Sequence, residues 1–166
     1  QGKKIFQTTK IDRFLASFSG GKDSQVILDL CTRAIPSTDV EVIYSDTGYE
    51  LPSSLKLYEE VQEYYKALYP DLKFSVARNH ESVLNYWDKI GTPSDNHRWC
   101  CAVMKTAPLY RMLKLDDNKQ ARVLTFDGVR AEESTRRSNY GRIGKGVKHD
   151  TVINARPILL WSSVEI

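Results

Sequence analysis

No stretch of this sequence is apolar for long enough to cross a bilayer. The N-terminal Gln1-Gly2-Lys3-Lys4 is charged, with no apolar segment behind it of the kind that makes a signal peptide. Both absences predict a cytoplasmic protein with no membrane partner. Cysteine is scarce, with only Cys31, Cys100 and Cys101. An odd count with one adjacent pair is a poor disulfide framework, because neighbouring cysteines rarely bridge each other. Three thiols also fall short of the four thiolates that a cubane iron–sulfur cluster normally takes. A strong charge of either sign is missing too: 24 Lys and Arg stand against 21 Asp and Glu, a formal +3. That balance excludes a general polyanion binder. The small excess is concentrated between 121 and 150, where seven basic side chains meet four acidic ones. It points to a local anion site.

What is present is ordinary in amount and ordered in sequence. The 166 residues, 41% hydrophobic and 27% charged, suit one soluble domain with a real core. Arg13-Phe14-Leu15-Ala16-Ser17-Phe18 is a short apolar run ending at two glycines, which predicts a buried strand. Ser24 is placed to N-cap a helix over 25–34, with Val26, Ile27, Leu30 and Cys31 on its inner face and Pro36 beyond its end. Cys31 is then a small core residue. β-Branched residues at 40–44 predict a second strand. A helix over 51–69 carries Leu51, Leu55, Tyr58, Val61, Tyr65 and Leu68 on its apolar face. A third strand is expected at 72–76 and a helix at 80–90 with Val83, Leu84 and Trp87 inward. A loop is expected at 91–97, and helix over 98–114, interrupted near Thr106-Ala107-Pro108. The fourth strand falls at 121–126, and the glycines and scattered bases of 138–150 have the character of a mobile loop.

Strand–helix alternation with such linkers requires crossovers. The expected fold is α/β, a mainly parallel twisted sheet with helices on both faces. Ligands in such sheets bind beyond the carboxyl ends of the strands. Three polar clusters fall there: 19–24, 45–48 and 127–137. At the C-terminus, Ser162 and Glu165 have capping-box spacing, opening a helix with one residue left to run. We therefore expect a fragment truncated at its C-terminus, with 1–11 as an N-terminal extension and 12–166 as the domain.

The first cluster is Ser19-Gly20-Gly21-Lys22-Asp23-Ser24. Its glycines let backbone amides approach a phosphate, and the helix start behind them adds oriented N–H groups. Ser19 and Ser24 add hydroxyl donors, and Lys22 offsets phosphate charge. Asp23 would repel a bare phosphate unless it holds a metal or caps the helix. The Walker spacing is absent, so this loop is of another kind.

Ser19 to Ser24 resembles the PP-loop of ATP pyrophosphatases. Ile43-Tyr44-Ser45-Asp46-Thr47-Gly48-Tyr49-Glu50-Leu51-Pro52 resembles the strand-end segment of the phosphoadenosine phosphosulfate (PAPS) reductase family. Arg98-Trp99-Cys100-Cys101, with Lys105, Pro108 and Leu109, is similar to that family's Arg-x-Cys-Cys…Lys…Pro-Leu segment. Gly128-Val129-Arg130…Glu133-Ser134…Arg136 resembles its Gly-x-Arg…Glu-Ser…Arg element, and Arg156-Pro157-Ile158 with Trp161 resembles the strand after it. The resemblance covers about 12–166 in the family's order. It implies a Rossmann-like, adenine nucleotide α-hydrolase-like fold and an adenine-nucleotide site. In that site 19–24 lies on phosphates, Ser45, Asp46, Thr47 and Gly48 near the adenosine, and Lys105, Arg130 and Arg136 on the distal anion. Arginine's planar fork suits that anion. Arg130 and Arg136, with Arg137 beside them, could equally pair with Glu132 and Glu133. Asp46 could equally cap the following turn.

The implied activity of the full-length protein is reduction of PAPS or adenosine phosphosulfate (APS) to sulfite. A cysteine outside this chain would attack sulfur, and a thioredoxin-like electron donor would serve it. Cys100 and Cys101 resemble half the ligand set of a [4Fe-4S] cluster whose other half, a Cys-x-x-Cys, does not occur here. Zinc faces the same shortage, with only His97 near. Two alternatives stand beside the reductase. One is a PP-loop enzyme releasing pyrophosphate from ATP with Mg2+, in sulfur transfer or DNA sulfur modification. The other is a non-catalytic nucleotide-binding module. DNA contact would fall on the three bases of 138–150, and a homo-oligomer is left open.

Overall fold

The computed structural model describes residues 10–115, 119–145 and 150–166. Six strands form one sheet in the order β3-β2-β1-β4-β6-β5. They are β1 (Arg13–Phe18), β2 (Val40–Asp46), β3 (Lys73–Arg78), β4 (Val123–Phe126), β5 (Ile143–Lys145) and β6 (Val152–Ala155). All pairings are parallel except the β5–β6 hairpin. The expected α/β sheet is therefore present. β1 sits between β2 and β4, so the chain's direction of travel across the sheet reverses there and leaves a crevice at the strand ends.

Alternation along the strands builds two cores. Ala16, Phe18, Val42 and Tyr44 face one side, against Ile27, Leu28 and Cys31 of α1 (Lys22–Ala34) and Tyr58 of α2 (Pro52–Leu68). Leu15, Ile43, Ala77 and Val123 face the other, where Leu109 and Met112 of α4 (Ala107–Met112) pack. Tyr58 stacks on Tyr44 at 4.5 Å between ring centroids. A third cluster joins Val83 of α3 (Val83–Ile90) to Trp99 and Met104. Among the described residues, no helix is long and apolar enough to cross a membrane.

Several local expectations are corrected. α1 begins at Lys22 with Gly21 as its cap residue, so Ser24 is not the N-cap. Its hydroxyl instead donates to the Gly21 carbonyl at 2.7 Å and accepts the Ser19 N–H at 3.2 Å, tying the loop to the helix. On α2, Tyr58, Val61 and Tyr65 pack inward, but Leu51, Leu55 and Leu68 are exposed. Leu84 is exposed as well, because α3 starts only at Val83, where Ser82 caps it by accepting the Leu84 N–H.

The interruption expected near 106–108 is a change of helix type. A π-helical segment, Cys101–Thr106, runs into α4, whose first turn takes Pro108. The segment expected to be a mobile loop contains β5, and a helical turn α5 (Thr135–Ser138) enters it; residues 146–149 lie outside the described residues. The last parallel strand is 152–155, ahead of the expected 156–158. Pro157 has no N–H to give a ladder, and 156–161 coils into turns that bury Ile158 and Leu159.

Candidate functional site

A cavity of about 330 Å³ opens at the carboxyl ends of β1, β2 and β4. Ser19, Gly21, Asp23 and Ser24 form one wall, Ser45 and Glu50 a second, Lys105 and Leu109 a third, and Asp127, Gly128, Val129, Glu133 and Arg137 the fourth. Gly20, at φ 80°, adopts the left-handed backbone that turns β1 into α1. The first turn of α1 then stands against the cavity with the positive end of its dipole, its Ser24 and Gln25 amides closing on the Gly21 carbonyl at 3.1 Å behind those of Lys22 and Asp23. This is the arrangement expected of an anion cradle.

Of the residues singled out in the sequence, Ser19, Gly21, Asp23, Ser24, Ser45 and Lys105 line this cavity. Gly20 and Lys22 belong to the loop but not to the wall; Lys22 donates its ammonium to the Ser163 carbonyl at 3.3 Å. Asp46 is buried, accepts the Gly48 N–H at 2.7 Å and pairs with Arg78 at 3.3 Å, so it holds its own turn. Thr47 and Gly48 line a neighbouring polar cleft with Arg78 and His80.

Neither Arg130 nor Arg136 lines the cavity. Arg130 is 5% exposed; its Nε donates to Asp23 at 2.8 Å, and Nη1 pairs with Glu132 and donates to Ser163 Oγ at 3.1 Å. Arg136 is exposed on α5. Arg137, one residue on, takes the cavity position and pairs with Glu133. The turn between them decides this. The Glu133 carboxylate accepts the Arg130 N–H at 2.8 Å and closes a 3-10 turn, Ala131–Glu133; Ser134 then caps α5. Spacing alone does not reveal that rotation.

The wall holds more carboxylates than bases, and pairing resolves most of them. Asp23 is met by Arg130, Glu133 by Arg137, and Asp127 by Arg156 at 3.5 Å. Burial pushes the Asp127 carboxyl above the usual aspartate range, against the opposing pull of Arg156, the Val129 N–H and Arg137. Burial acts on Glu133 too, but there the Arg130 N–H and the Arg137 guanidinium outweigh it and hold the carboxyl below its usual range. Glu50 accepts a hydrogen bond from Thr47 at 2.8 Å. Lys105 has no ion pair among the described residues, so its charge is available to a ligand. Asp127 carried no sequence signal beyond its place in the strand-end cluster 127–137; Glu50 lay inside the segment that resembles the family, without a role assigned to it, and Arg137 was read only as a partner for Glu132 or Glu133.

Cys100 is half-buried beside Trp99 and Met104, and Cys101 is exposed. Neither lines the cavity. Among the described residues, no group of three or more His, Cys, Asp or Glu side chains could hold a metal ion. Two adjacent thiols therefore do not fit a four-thiolate cluster on this chain's residues, and the cavity carboxylates do not by themselves form a magnesium site.

Comparison with known proteins agrees with this geometry. A protein of unknown function from Methanocaldococcus jannaschii is 35% identical over 155 residues, 92% of this chain and 30% of its own length. An adenosine 5'-phosphosulfate reductase from Staphylococcus haemolyticus is 24% identical over 157 residues, 93% of this chain and 59% of its own. The chain thus spans less than two thirds of these relatives. In fold it is similar to the phosphoadenylyl-sulfate (PAPS) reductase of Candida auris, solved as a phosphate complex. The TM-score is 0.61 at 21% identity, covering 98% of this chain and 72% of that one. The FMN adenylyltransferase of Candida glabrata, solved with FAD and pyrophosphate, has a TM-score of 0.54 at 14% identity, covering 99% and 49%. The phosphoadenosine phosphosulfate reductase domain family matches residues 13–166, from the first residue of β1 onward, taking in every segment that builds the cavity. On that match the chain belongs to the PAPS reductase family.

Proposed function

We propose that this domain binds an adenine nucleotide carrying a sulfate or phosphate anion, and that the whole protein reduces the bound sulfonucleotide to sulfite. One observation carries the reading: Lys105, which has no ion pair among the described residues, stands in the same cavity as the start of α1. A multiply charged ligand needs both a directional donor set and a free cation. Arg137 is held ready by Glu133 and can exchange that partner for a ligand oxygen. Ser45 and the strand-end backbone of β2 border the side where an adenosine would lie.

The family's reaction runs through a cysteine thiolate. It attacks sulfur, the S–O bond to the nucleotide breaks, and the nucleoside phosphate leaves with the electron pair. A dithiol donor of the thioredoxin class then displaces sulfite from the S-sulfocysteine and is left as a disulfide. No cysteine lines this cavity. The 166-residue chain should therefore bind APS or PAPS without releasing sulfite.

The acidic share of the wall favours a second reading. Glu50 has no cation partner among the described residues and faces the same cavity as the phosphate loop, an arrangement compatible with a nucleotide that brings Mg2+ with it. Such a protein would release pyrophosphate from ATP. Equilibrium titration with ATP, APS and PAPS, followed by sulfite and pyrophosphate assays on the full-length protein, separates the readings. Tighter binding of APS or PAPS with sulfite release supports the reductase. Pyrophosphate without sulfite supports the second reading, and binding without turnover marks a non-catalytic module. No binding of any of the three defeats the proposal.

A further inference from the structure

We propose that Arg130 serves nucleotide binding from behind the cavity, by neutralising Asp23 in the phosphate loop, and does not itself touch the nucleotide. This rests on reading the cavity as an anion site. Asp23 is the acidic residue of Ser19–Ser24, sits in the first turn of α1 and lines the cavity. An unpaired carboxylate there would repel the group that the loop is built to hold. Arg130 supplies the opposite charge, with Nε 2.8 Å from Asp23 Oδ1. Its Nη1 is occupied by Glu132 and by Ser163 Oγ at 3.1 Å. The side chain is only 7% exposed and is not part of the cavity wall. Of the two carboxylates that Arg130 pairs with, Asp23 lines the cavity and Glu132 does not, so loss of the arginine exposes a ligand to an unpaired Asp23.

The same segment grips Asp23 a second way. An added Cβ at Gly128 would lie 2.9 Å from the Asp23 carbonyl carbon, so the two backbones are in direct contact. Asp23 is thus fixed by backbone packing at Gly128 and by charge at Arg130, both from the stretch that follows β4. The family resemblance assigns Arg130 to the ligand's anion, whereas the geometry assigns it to Asp23.

The two roles separate in a double-mutant cycle. Affinities for AMP and ATP are measured by titration on wild type, Arg130→Met, Asp23→Asn and the double variant. Masking predicts that Arg130→Met weakens ATP binding by roughly 10- to 100-fold, from one uncompensated charge at close range. The loss should be smaller for AMP, which carries less charge. The double variant should return to within about threefold of wild type, because an isosteric amide carries no charge to repel phosphate and the side chain at this position is 22% exposed, open to water as its hydrogen-bond partner. A double variant as weak as Arg130→Met overturns the inference and restores Arg130 as a direct contact. A loss equal for AMP and ATP overturns it as well, since a merely disordered loop would treat both alike. If Arg130→Met does not fold, Asp23→Asn combined with Arg130→Gln carries the test, with wild-type-like affinity expected and weak binding overturning the idea. Failure of the wild type to bind either nucleotide defeats the anion-site reading itself; a binding wild type with an unrescued double variant defeats only this inference.

Discussion

Replacing Gly128 by alanine places a methyl group where the structure has no room for one. Its Cβ would lie 2.9 Å from both the carbonyl carbon and oxygen of Asp23 and 3.1 Å from Asp23 Cβ. Non-bonded carbons rest at about 3.5–4.0 Å, so the segments must separate by about 0.5 Å or more. The obstructing atoms are mostly backbone and cannot swing aside. Overpacking of this kind costs about 1–3 kcal/mol, which in a domain of this size lowers Tm by roughly 2–12 °C. The backbone displaced belongs to the phosphate loop, so the loss should also reach binding. One weakened hydrogen bond to a charged group corresponds to about tenfold or more in Kd. Gly91→Ala is the control. Gly91, at the C-terminus of α3, has φ of 91° and no atom within 4 Å of where the added methyl would stand. Backbone strain of about 1–3 kcal/mol should there lower Tm alone. Thermal melts and nucleotide titrations on both variants check this. A Gly128→Ala protein with wild-type affinity would refute the idea that this contact sets the loop.

Other consequences are as direct. Lys105→Ala should weaken binding of a sulfonucleotide by roughly tenfold and flatten its salt dependence, because it removes a cavity cation that has no ion pair among the described residues; titration at two ionic strengths measures both. Burial pushes the Cys31 thiol up to about 12, so in the native protein at pH 8 iodoacetamide should modify Cys101 and leave Cys31 untouched, as read by peptide mass spectrometry. Burial raises the Asp127 carboxyl in the folded state, so the native protein binds this proton more tightly than the unfolded chain. Its contribution to stability therefore falls as pH rises from the unfolded aspartate range through the folded value, the reverse of a carboxylate that folding pulls below its usual range. Urea midpoints should show wild type losing ground to Asp127→Asn across that window; a difference independent of pH would contradict the assignment.

Much of the fold is written locally. β1 and β2 are legible because apolar and β-branched runs stop abruptly at polar strand ends, and the inner face of α1 follows from its period. What escaped depends on the path the backbone takes through a turn, or on partners distant in sequence. Ser24 has a capping residue's chemistry, yet its hydroxyl finds the Ser19 amide and the Gly21 carbonyl. The apolar stripe of α2 includes Leu51, Leu55 and Leu68, which the fold leaves exposed, and β5 is stabilised by pairing with β6, which no periodicity in three residues announces. At the site, residue type and order marked the loop at 19–24 and the family resemblance marked Lys105, and the structure brings both to one cavity. Pairing of these arginines with Glu132 and Glu133 was open in the sequence and is found at Arg130 and Arg137; which guanidinium reaches the cavity was not legible, because one 3-10 turn and a single turn of α5 set it.

The central claim is that an adenine nucleotide occupies the cavity at the ends of β1, β2 and β4. Amide hydrogen exchange with and without saturating APS or ATP tests it most directly, because it reports position as well as binding. Slowed exchange is expected at Gly20 to Gln25, around Ser45 and at Gly128 and Val129. No change is expected in the cleft at the opposite ends of the strands, around Arg13, Asp39 and Lys73. Protection at that opposite cleft, or binding that leaves the loop amides unaffected, would contradict it.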